Sequence, residues 1–218
     1  MKRHFAVLLS LVAASCASTG VDQAESAAQS MRSMKKALED APAKIEAVST
    51  SLQSVAKDGA DMKATFATFS SDVDALGTHR EHVRSLRSDV ESNKDTFTTA
   101  WQQRLASIKD ADLRKRAEER RDAVLTKFTD LAKNADASKA EFDPWFQSVV
   151  DLRHYLENDL NPTGVASVKD KIKEITKGAD TIKGNITKLV ARLDEMGNAI
   201  AAAKPPAPPP EESKDKKK

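Results

Sequence analysis

The stretch AKDGADMK, residues 56–63, decides how many long helices the chain forms. Asp58 and Gly59 suit the end of a helix, because glycine readily adopts the left-handed conformation that closes many helices. Asp61 suits the cap of a following helix, since its carboxylate accepts a backbone N–H of the first turn. With a turn at this point, the predicted helices run over 24–57, 60–107, 110–158 and 164–203.

The lengths of these four helices match well enough to predict an elongated antiparallel four-helix bundle. The heptad phase also runs through Gly59 unbroken, which leaves a second architecture open. In that alternative the chain forms a three-helix coiled coil with one very long first helix, over 24–107. That helix would overhang its partners and expose its apolar stripe.

Apolar residues recur every three or four positions between residues 24 and 203, and no strand-like alternation competes with them. Such sustained heptads are typical of helices that pack at shallow angles, so the sequence predicts an all-α fold with coiled-coil-like seams. The clearest series are Met31, Leu38, Ile45 and Leu52; Met62, Phe69, Leu76, Val83, Val90 and Phe97; Val124, Leu131, Ser138, Trp145 and Leu152, with Ala135 and Phe142 beside them; and Val168, Ile175, Ile182, Leu189 and Met196.

Two further breaks separate the predicted helices. SIKDADLRK, residues 107–115, offers Asp110 and Asp112 as candidate caps. LENDLNPTG, residues 156–164, concentrates Asn, Asp, Pro and Gly in a helix–helix turn. Pro42 and Pro144 lie inside continuous patterns, where we expect each to kink its helix or to start a new turn.

The first fifteen residues predict a lipoprotein signal peptide. A basic start precedes an apolar run from Phe5 to Ala14, which is too short to span a bilayer. Small residues then lead to Cys16, the only cysteine of the chain, and this order resembles the bacterial lipobox. In a lipobox the cysteine is acylated and the peptide is cut before it. The alternative is an ordinary secretory signal with an incidental cysteine.

The lipobox places the protein in the bacterial cell envelope, with a lipidated tether over 16–23 and a helical bundle domain over 24–203. The membrane would be its partner through acyl chains on Cys16, since two or three chains anchor a protein stably. Ala17 stands where an inner-membrane lipoprotein of enterobacteria has Asp, so we expect the outer membrane, facing the periplasm. Residues 204–218, rich in Pro and Lys, predict a disordered tail.

The charge balance argues against nucleic acid as a partner. The chain has 35 Lys and Arg against 33 Asp and Glu, a formal net charge of +2, whereas a dedicated nucleic-acid binder shows a marked basic excess. Charged residues make up 31% and aromatic residues 5% of the chain, which favours long helices over sheets.

Several short segments occur in the same order as in one bacterial family. They are SVAKDGADM (54–62), Trp101 with Leu105, ADLR (111–114), Pro144 and DLRHYLENDLNPTGVASV (151–168). On these residues the chain resembles a family of uncharacterised, all-helical bacterial proteins, many of them lipoproteins, that is catalogued as a domain of unknown function. The resemblance implies a turn at Gly59, and it implies no reaction, substrate or cofactor.

Two sets of side chains invite a chemical interpretation. His79 and His82 lie one helical turn apart, and Asp151 with His154 would offer further metal ligands. Antiparallel pairing about residues 108–109 separates the two sets by about 24 Å along the axis, so we predict no metal site and no cofactor. Trp145 and the aromatic residues Trp101, Phe142 and Phe146 fit the bundle core better than a ligand box.

Arg80, Arg87 and Lys94 occupy positions where the heptads favour apolar residues. One interpretation is an anion-binding groove in that half of the bundle. The other is that their stems lie along the seam and their charged ends pair with the third helix, which the same register places at Asp136, Asp130 and Asp122 respectively. We favour the ion pairs.

No catalytic motif stands out, so we predict that the protein is not an enzyme. The leading hypothesis is a lipid-anchored envelope protein with a structural or interaction role, whose partner is another envelope protein or a cell-wall polymer. One alternative is a carrier of a small apolar or metal ligand inside the bundle, and another is a membrane-active amphipathic protein. The oligomeric state is left open.

Overall fold

A computed structural model of the chain describes residues 20–57 and 59–203. Within these residues it contains five helices and no strand, which confirms the predicted all-α class. The helices are α1 Gly20–Val55, α2 Met62–Ser107, α3 Ala111–Asn158, α4 Pro162–Ser167 and α5 Lys169–Ala203. The first helix starts four residues before the predicted bundle start at residue 24.

The four long helices form the predicted antiparallel bundle, with α1 and α3 on one diagonal and α2 and α5 on the other. The interfaces of α1 with α2 and with α5 are extensive, and α3 packs against α5. The interface of α2 with α3 is the sparsest of the four. A cleft lies at this sparse interface.

The turn at residues 56–61 separates α1 from α2, so the four-helix prediction is confirmed and the single long first helix is wrong. Gly59 has φ +74°, a conformation that a side chain would strain. The carboxylate of Asp61 accepts the backbone N–H of Ala64 at 3.1 Å, as expected for a helix cap. Turn chemistry therefore prevails over the unbroken heptad phase.

The second turn follows the prediction as well. The Asp110 carboxylate accepts the N–H of Leu113 at 2.9 Å and begins α3. The guanidinium of Arg114 donates to the carbonyl of Ile108 at the end of α2. Both ends of this turn thus have their free backbone groups satisfied by side chains.

The third connection contains a short helix, α4, that the sequence pattern did not predict. Asn161 caps it, with its side-chain oxygen accepting the N–H groups of Thr163 and Gly164 at 3.0 and 2.9 Å. Gly164 lies so close to Asp159 that a Cβ atom would stand 2.7 Å from the carboxylate carbon. Tyr155 ties the two sides of the connection through its hydroxyl, 2.9 Å from that of Ser167.

The core runs the length of the bundle, and its tightest part lies on the side of the third connection. Trp145 is buried there, and its indole N–H donates to the carbonyl of Ile175 at 2.9 Å. The ring also covers Gly178 on α5, where a Cβ atom would come within 2.9 Å of it. Pro42 and Pro144 lie within continuous helices, so neither proline divides its helix.

Candidate functional site

A cleft opens between α2 and α3 and reaches into the core. It has a larger part of about 560 Å³ and a smaller part of about 120 Å³, and Met34, Arg87, Ala135 and Leu189 line both. We call the two adjoining parts the α2–α3 cleft. The apolar lining of the larger part includes Val90, Leu125, Phe128, Leu131 and Leu193, and that of the smaller part includes Leu76, Val83, Phe142 and Ile186.

Small side chains on α3 account for the cleft. Ser138 lies seven residues after Leu131 and seven before Trp145, so the three side chains face the same side of the helix. Trp145 fills its level of the seam, whereas Ser138 lines the cleft and does not fill its level. Ala135, one turn before Ser138, leaves further space. The sequence contained the signal for this gap, because Ala135 and Ser138 are small residues within the heptad series of α3.

Three cations surround one carboxylate at the smaller part of the cleft. Asp143 forms ion pairs with Lys139 at 2.7 Å, with Arg80 at 2.8 Å and with Arg84 at 3.8 Å. The guanidinium of Arg80 also lies over the ring of Phe146, 5.4 Å from its centre. This end of the cleft therefore has more positive than negative side chains.

The ionised form of Asp143 is the favoured one. Partial burial opposes ionisation and by itself would raise the pKa of this carboxyl. Hydrogen bonds from Lys139 and Arg80 outweigh the burial, so the pKa lies below its usual value. Asp143 therefore stays negative at neutral pH and holds the surrounding cations in place.

The ion pairs between α2 and α3 exist, but with partners one or two turns away from the predicted ones. Arg80 pairs with Asp143 rather than Asp136, and Arg87 pairs with Asp136 at 2.8 Å rather than with Asp130. Side chains lean toward the amino terminus of their own helix. An arginine on α2 therefore reaches α3 at a level closer to the third connection than its own Cα, which the prediction did not allow for.

The third predicted pair is wrong. The ammonium of Lys94 lies 3.0 Å from the carboxylate of Asp95, its neighbour on α2. Its predicted partner, Asp122, is paired with Arg121 at 2.8 Å. All of these pairs lie on a partly exposed rim, where each contributes about 0–1 kcal/mol.

His79 lines the cleft and is held by the backbone of α1. Its Nε2 lies 2.9 Å from the carbonyl oxygen of Ala37. Burial disfavours the charged imidazolium and lowers the pKa of His79, although the hydrogen bond to Ala37 works in the opposite direction. His82 is exposed on the same helix, with its ring centre 6.4 Å from that of His79.

The remaining candidate metal ligands do not join these histidines. His154 is exposed, with its Nδ1 3.4 Å from the Glu157 carboxylate, and Asp151 accepts a hydrogen bond from Gln147 at 2.8 Å. Among the described residues, no group of three or more His, Cys, Asp or Glu side chains is arranged to hold a metal ion.

The aromatic residues divide between the core and the cleft wall. Trp145 is a core residue, as predicted, and Trp101 packs edge-on against Phe97 with ring centres 5.3 Å apart. Phe142 and Phe146 stack with ring centres 5.7 Å apart, and both are only partly buried. Phe142 packs against the core and also lines the cleft, so the prediction that it belongs to the core holds only in part.

The residue with the most specific sequence signature, Cys16, lies outside the described residues, as do the predicted signal peptide and the tail over 204–218. In sequence Cys16 stands four residues before the start of α1. Within the described part of the chain, no helix is long and apolar enough to cross a membrane.

Comparison with known proteins places the chain in a family. Neither the curated proteins nor the solved structures contain a match to it. The profile of DUF2959, a family described as a protein of unknown function, matches residues 14–204. This match covers most of the chain and includes the whole helical bundle. The chain therefore belongs to the DUF2959 family.

Proposed function

We propose that this protein is a lipid-anchored component of the bacterial envelope, held in the outer membrane by acyl chains on Cys16 and facing the periplasm. Its helical bundle contacts another envelope component, either a protein or a cell-wall polymer, in a structural or interaction role and without enzymatic activity. The single observation that carries the proposal is the short distance in sequence between Cys16 and the bundle. Only three residues separate Cys16 from α1, which begins at Gly20.

The arrangement of the helix ends supports this orientation. Gln23, near the start of α1, accepts a hydrogen bond from Arg104 near the end of α2 at 2.9 Å. The start of α1, the turn between α2 and α3 and the end of α5 thus lie at one end of the bundle, which we call the anchor end. The 36 residues of α1 extend about 54 Å from it. An anchored bundle would present its far end well away from the bilayer.

Labelling with palmitate tests the anchor. We expect the wild-type chain, expressed in a Gram-negative host, to incorporate the label and to sediment with outer membranes. Cys16→Ala removes the acceptor thiol, so this variant should lose the label and appear in a soluble or inner-membrane fraction. Wild-type protein that stays unlabelled, or a labelled Cys16→Ala variant, contradicts the anchor.

Site-specific crosslinking tests the interaction. A photoreactive residue replaces either Leu113, which is 59% exposed at the anchor end, or Tyr155, which is exposed at the far end. We expect one of the two positions to yield a discrete product with an envelope protein or with wall polymer, and the Cys16→Ala background to abolish it. Products of equal yield from both positions, unchanged by Cys16→Ala, contradict a specific contact.

The α2–α3 cleft supports a second candidate function, that of a carrier for a small apolar ligand. Its larger part, at about 560 Å³, is within the range of about 300–1,000 Å³ that is typical of ligand pockets. Its lining is mainly aliphatic and aromatic with a few charged groups at the rim, as is usual for such pockets. Native mass spectrometry of protein purified without added lipid should detect a bound small molecule, and uniformly empty protein contradicts the carrier.

A further inference from the structure

We propose that the α2–α3 cleft binds a single-chain amphiphile with an anionic head, of the kind represented by a long-chain fatty acid. The acyl chain occupies the larger part of the cleft, and the head lies at the smaller part between Arg80, Arg84 and Lys139. The proposal rests on the carrier function proposed above, and it specifies the chemical class of the ligand and the residues that recognise it.

The shape of the cleft suits a single extended chain. Its lining on α2 runs from Leu76 to Asp95, a distance of about 28 Å along the helix axis. The floor is formed by side chains of the two other long helices, such as Met34 on α1 and Leu189 on α5. A narrow, elongated and apolar space removes methylene groups from water along its whole length, whereas a bulky or globular ligand would fill only its larger part.

The distribution of charge along the cleft locates the head. The smaller part is lined by the four cations Arg80, Arg84, Arg87 and Lys139 and by one carboxylate, Asp143. The larger part is lined by two cations and two carboxylates, Arg87, Lys94, Glu91 and Asp95. Arg87 is paired with Glu91 and Asp136. The other three cations of the smaller part share two carboxylates, Asp143 and Glu81, so one positive charge in excess is left there to complement an anion.

The cations at this end are also held in place before any ligand binds. Arg80 and Lys139 both donate to the carboxylate of Asp143, and Arg80 lies over the ring of Phe146. Arg84 is held by Glu81 at 2.9 Å on the outer side. Cations fixed in this way lose little conformational freedom when they bind a carboxylate, which favours an anionic head over a neutral one.

The test uses the full-length chain carrying Cys16→Ser, so that it is free of acyl groups and of detergent. The probe is cis-parinaric acid, a fluorescent eighteen-carbon fatty acid, and its methyl ester is the matched probe without charge. We expect saturable binding of the acid, displacement by palmitate, and an affinity for the acid at least tenfold above that for the ester. Equal affinities for acid and ester overturn the anionic head while leaving the carrier function standing.

Two pairs of variants locate the binding site. Ala135→Leu places a larger side chain in the cleft and should weaken binding of acid and ester alike by at least tenfold, whereas Ala140→Leu, on the exposed side of α3, should not. Lys139→Gln should weaken binding of the acid about three- to tenfold and leave the ester unchanged. Lys127→Gln, an exposed lysine of the same helix outside the cleft, is its control.

The remaining outcomes separate the proposal from its rivals. If neither probe binds the wild-type chain, the amphiphile is wrong, while native mass spectrometry still decides the carrier function and palmitate labelling of Cys16 decides the anchor. Probe binding that Ala135→Leu leaves unchanged places the ligand elsewhere and overturns the proposal. Concentration-dependent dimerisation that Ala135→Leu abolishes would instead identify the cleft as an interface between two copies of the chain.

Discussion

Two parts of the bundle follow the same heptad pattern and differ in how closely their helices pack. At the end that contains the first and third connections, Ile45, Leu52, Phe69, Val149 and Leu156 have no exposed surface. We call this part the closed end. Across the middle of the bundle, where α2 runs from Leu76 to Asp95, the α2–α3 cleft separates two of the helices down to the core.

The size of the seam residues, rather than their polarity pattern, produces the difference. At the closed end, Trp145 fills its level of the seam and covers Gly178 on the facing helix. In the cleft, Ala135 and Ser138 occupy corresponding positions of α3 and fill little space. A heptad pattern thus fixes which faces meet, while side-chain volume decides whether they meet without a gap.

The largest effect on stability is expected from Gly164→Ala, which introduces a steric clash in the third connection, at the closed end. The added methyl group would stand 2.7 Å from the Asp159 carboxylate, and backbone atoms lie beside it, so no flexible side chain can move away to make room. We expect the free energy of unfolding to fall by about 3 kcal/mol, the upper end for overpacking. Urea unfolding followed by circular dichroism measures this loss.

Gly184→Ala is the matched control for that variant. Gly184 lies in the interior of α5 with open space around it. Alanine has a higher helix propensity than glycine, so the control should gain up to about 1 kcal/mol of stability. Equal effects of the two substitutions would show that the connection at Asp159 is less tightly packed than the structure indicates.

An intermediate effect on stability is expected when the same large side chain is placed at the closed end and in the cleft. Ala179 is buried at the closed end with 1% of its surface exposed, so Ala179→Leu should destabilise the protein by about 1–3 kcal/mol through overpacking. Ser138→Leu fills space in the cleft and should leave stability unchanged or raise it by up to about 1 kcal/mol. Urea unfolding measures both changes in stability from the shift of the unfolding midpoint, provided that the slope of free energy against urea concentration is the same for each variant and the wild type.

The comparison of these two variants is more decisive than either alone. If Ser138→Leu destabilises the protein as much as Ala179→Leu does, then α2 and α3 meet in solution and the cleft is closed there. A stabilised Ser138→Leu variant together with a destabilised Ala179→Leu variant would confirm that the closed end and the cleft differ in packing.

Much of the fold was predictable because it depends on local chemistry. The caps at Asp61 and Asp110 and the left-handed Gly59 are recognisable from neighbouring residues, and they placed the helix ends at the first two turns within two residues. The short helix α4 was missed because Asn161 begins it within a stretch that also reads as a simple turn. Its length of six residues is too short for a periodic pattern.

The candidate site was less predictable, because it depends on long-range packing. The charged residues on the seam were found from their heptad positions, but their partners depend on the direction in which each side chain leans. The volume of the cleft depends on what four helices place at one level, and a single helix pattern does not contain that information. Ser138 was visible as a seam residue, yet only the facing side chains show that it leaves a gap.

The smallest effect on stability is expected from lowering the pH, through His79, which is partly buried at the cleft. Because burial lowers the pKa of His79 below its reference of 6.5, the unfolded chain takes up a proton at a higher pH than the folded chain does. Stability from this group is therefore complete above pH 6.5 and declines as the pH falls from there through the folded-state pKa. Between pH 7.5 and 5.5 we expect only a small loss in the free energy of unfolding, because solvent screens a ring that is only partly buried.

His79→Gln isolates this contribution, because glutamine has no charge to gain between these two pH values. The variant should unfold with a smaller difference between pH 7.5 and 5.5 than the wild type, as measured by urea unfolding at both pH values. His154→Gln, at an exposed position on α3, is the control and should keep the wild-type difference. If both variants show the same pH dependence as the wild type, the His79 ring is accessible to solvent, and the cleft is more open around it than the hydrogen bond to Ala37 implies.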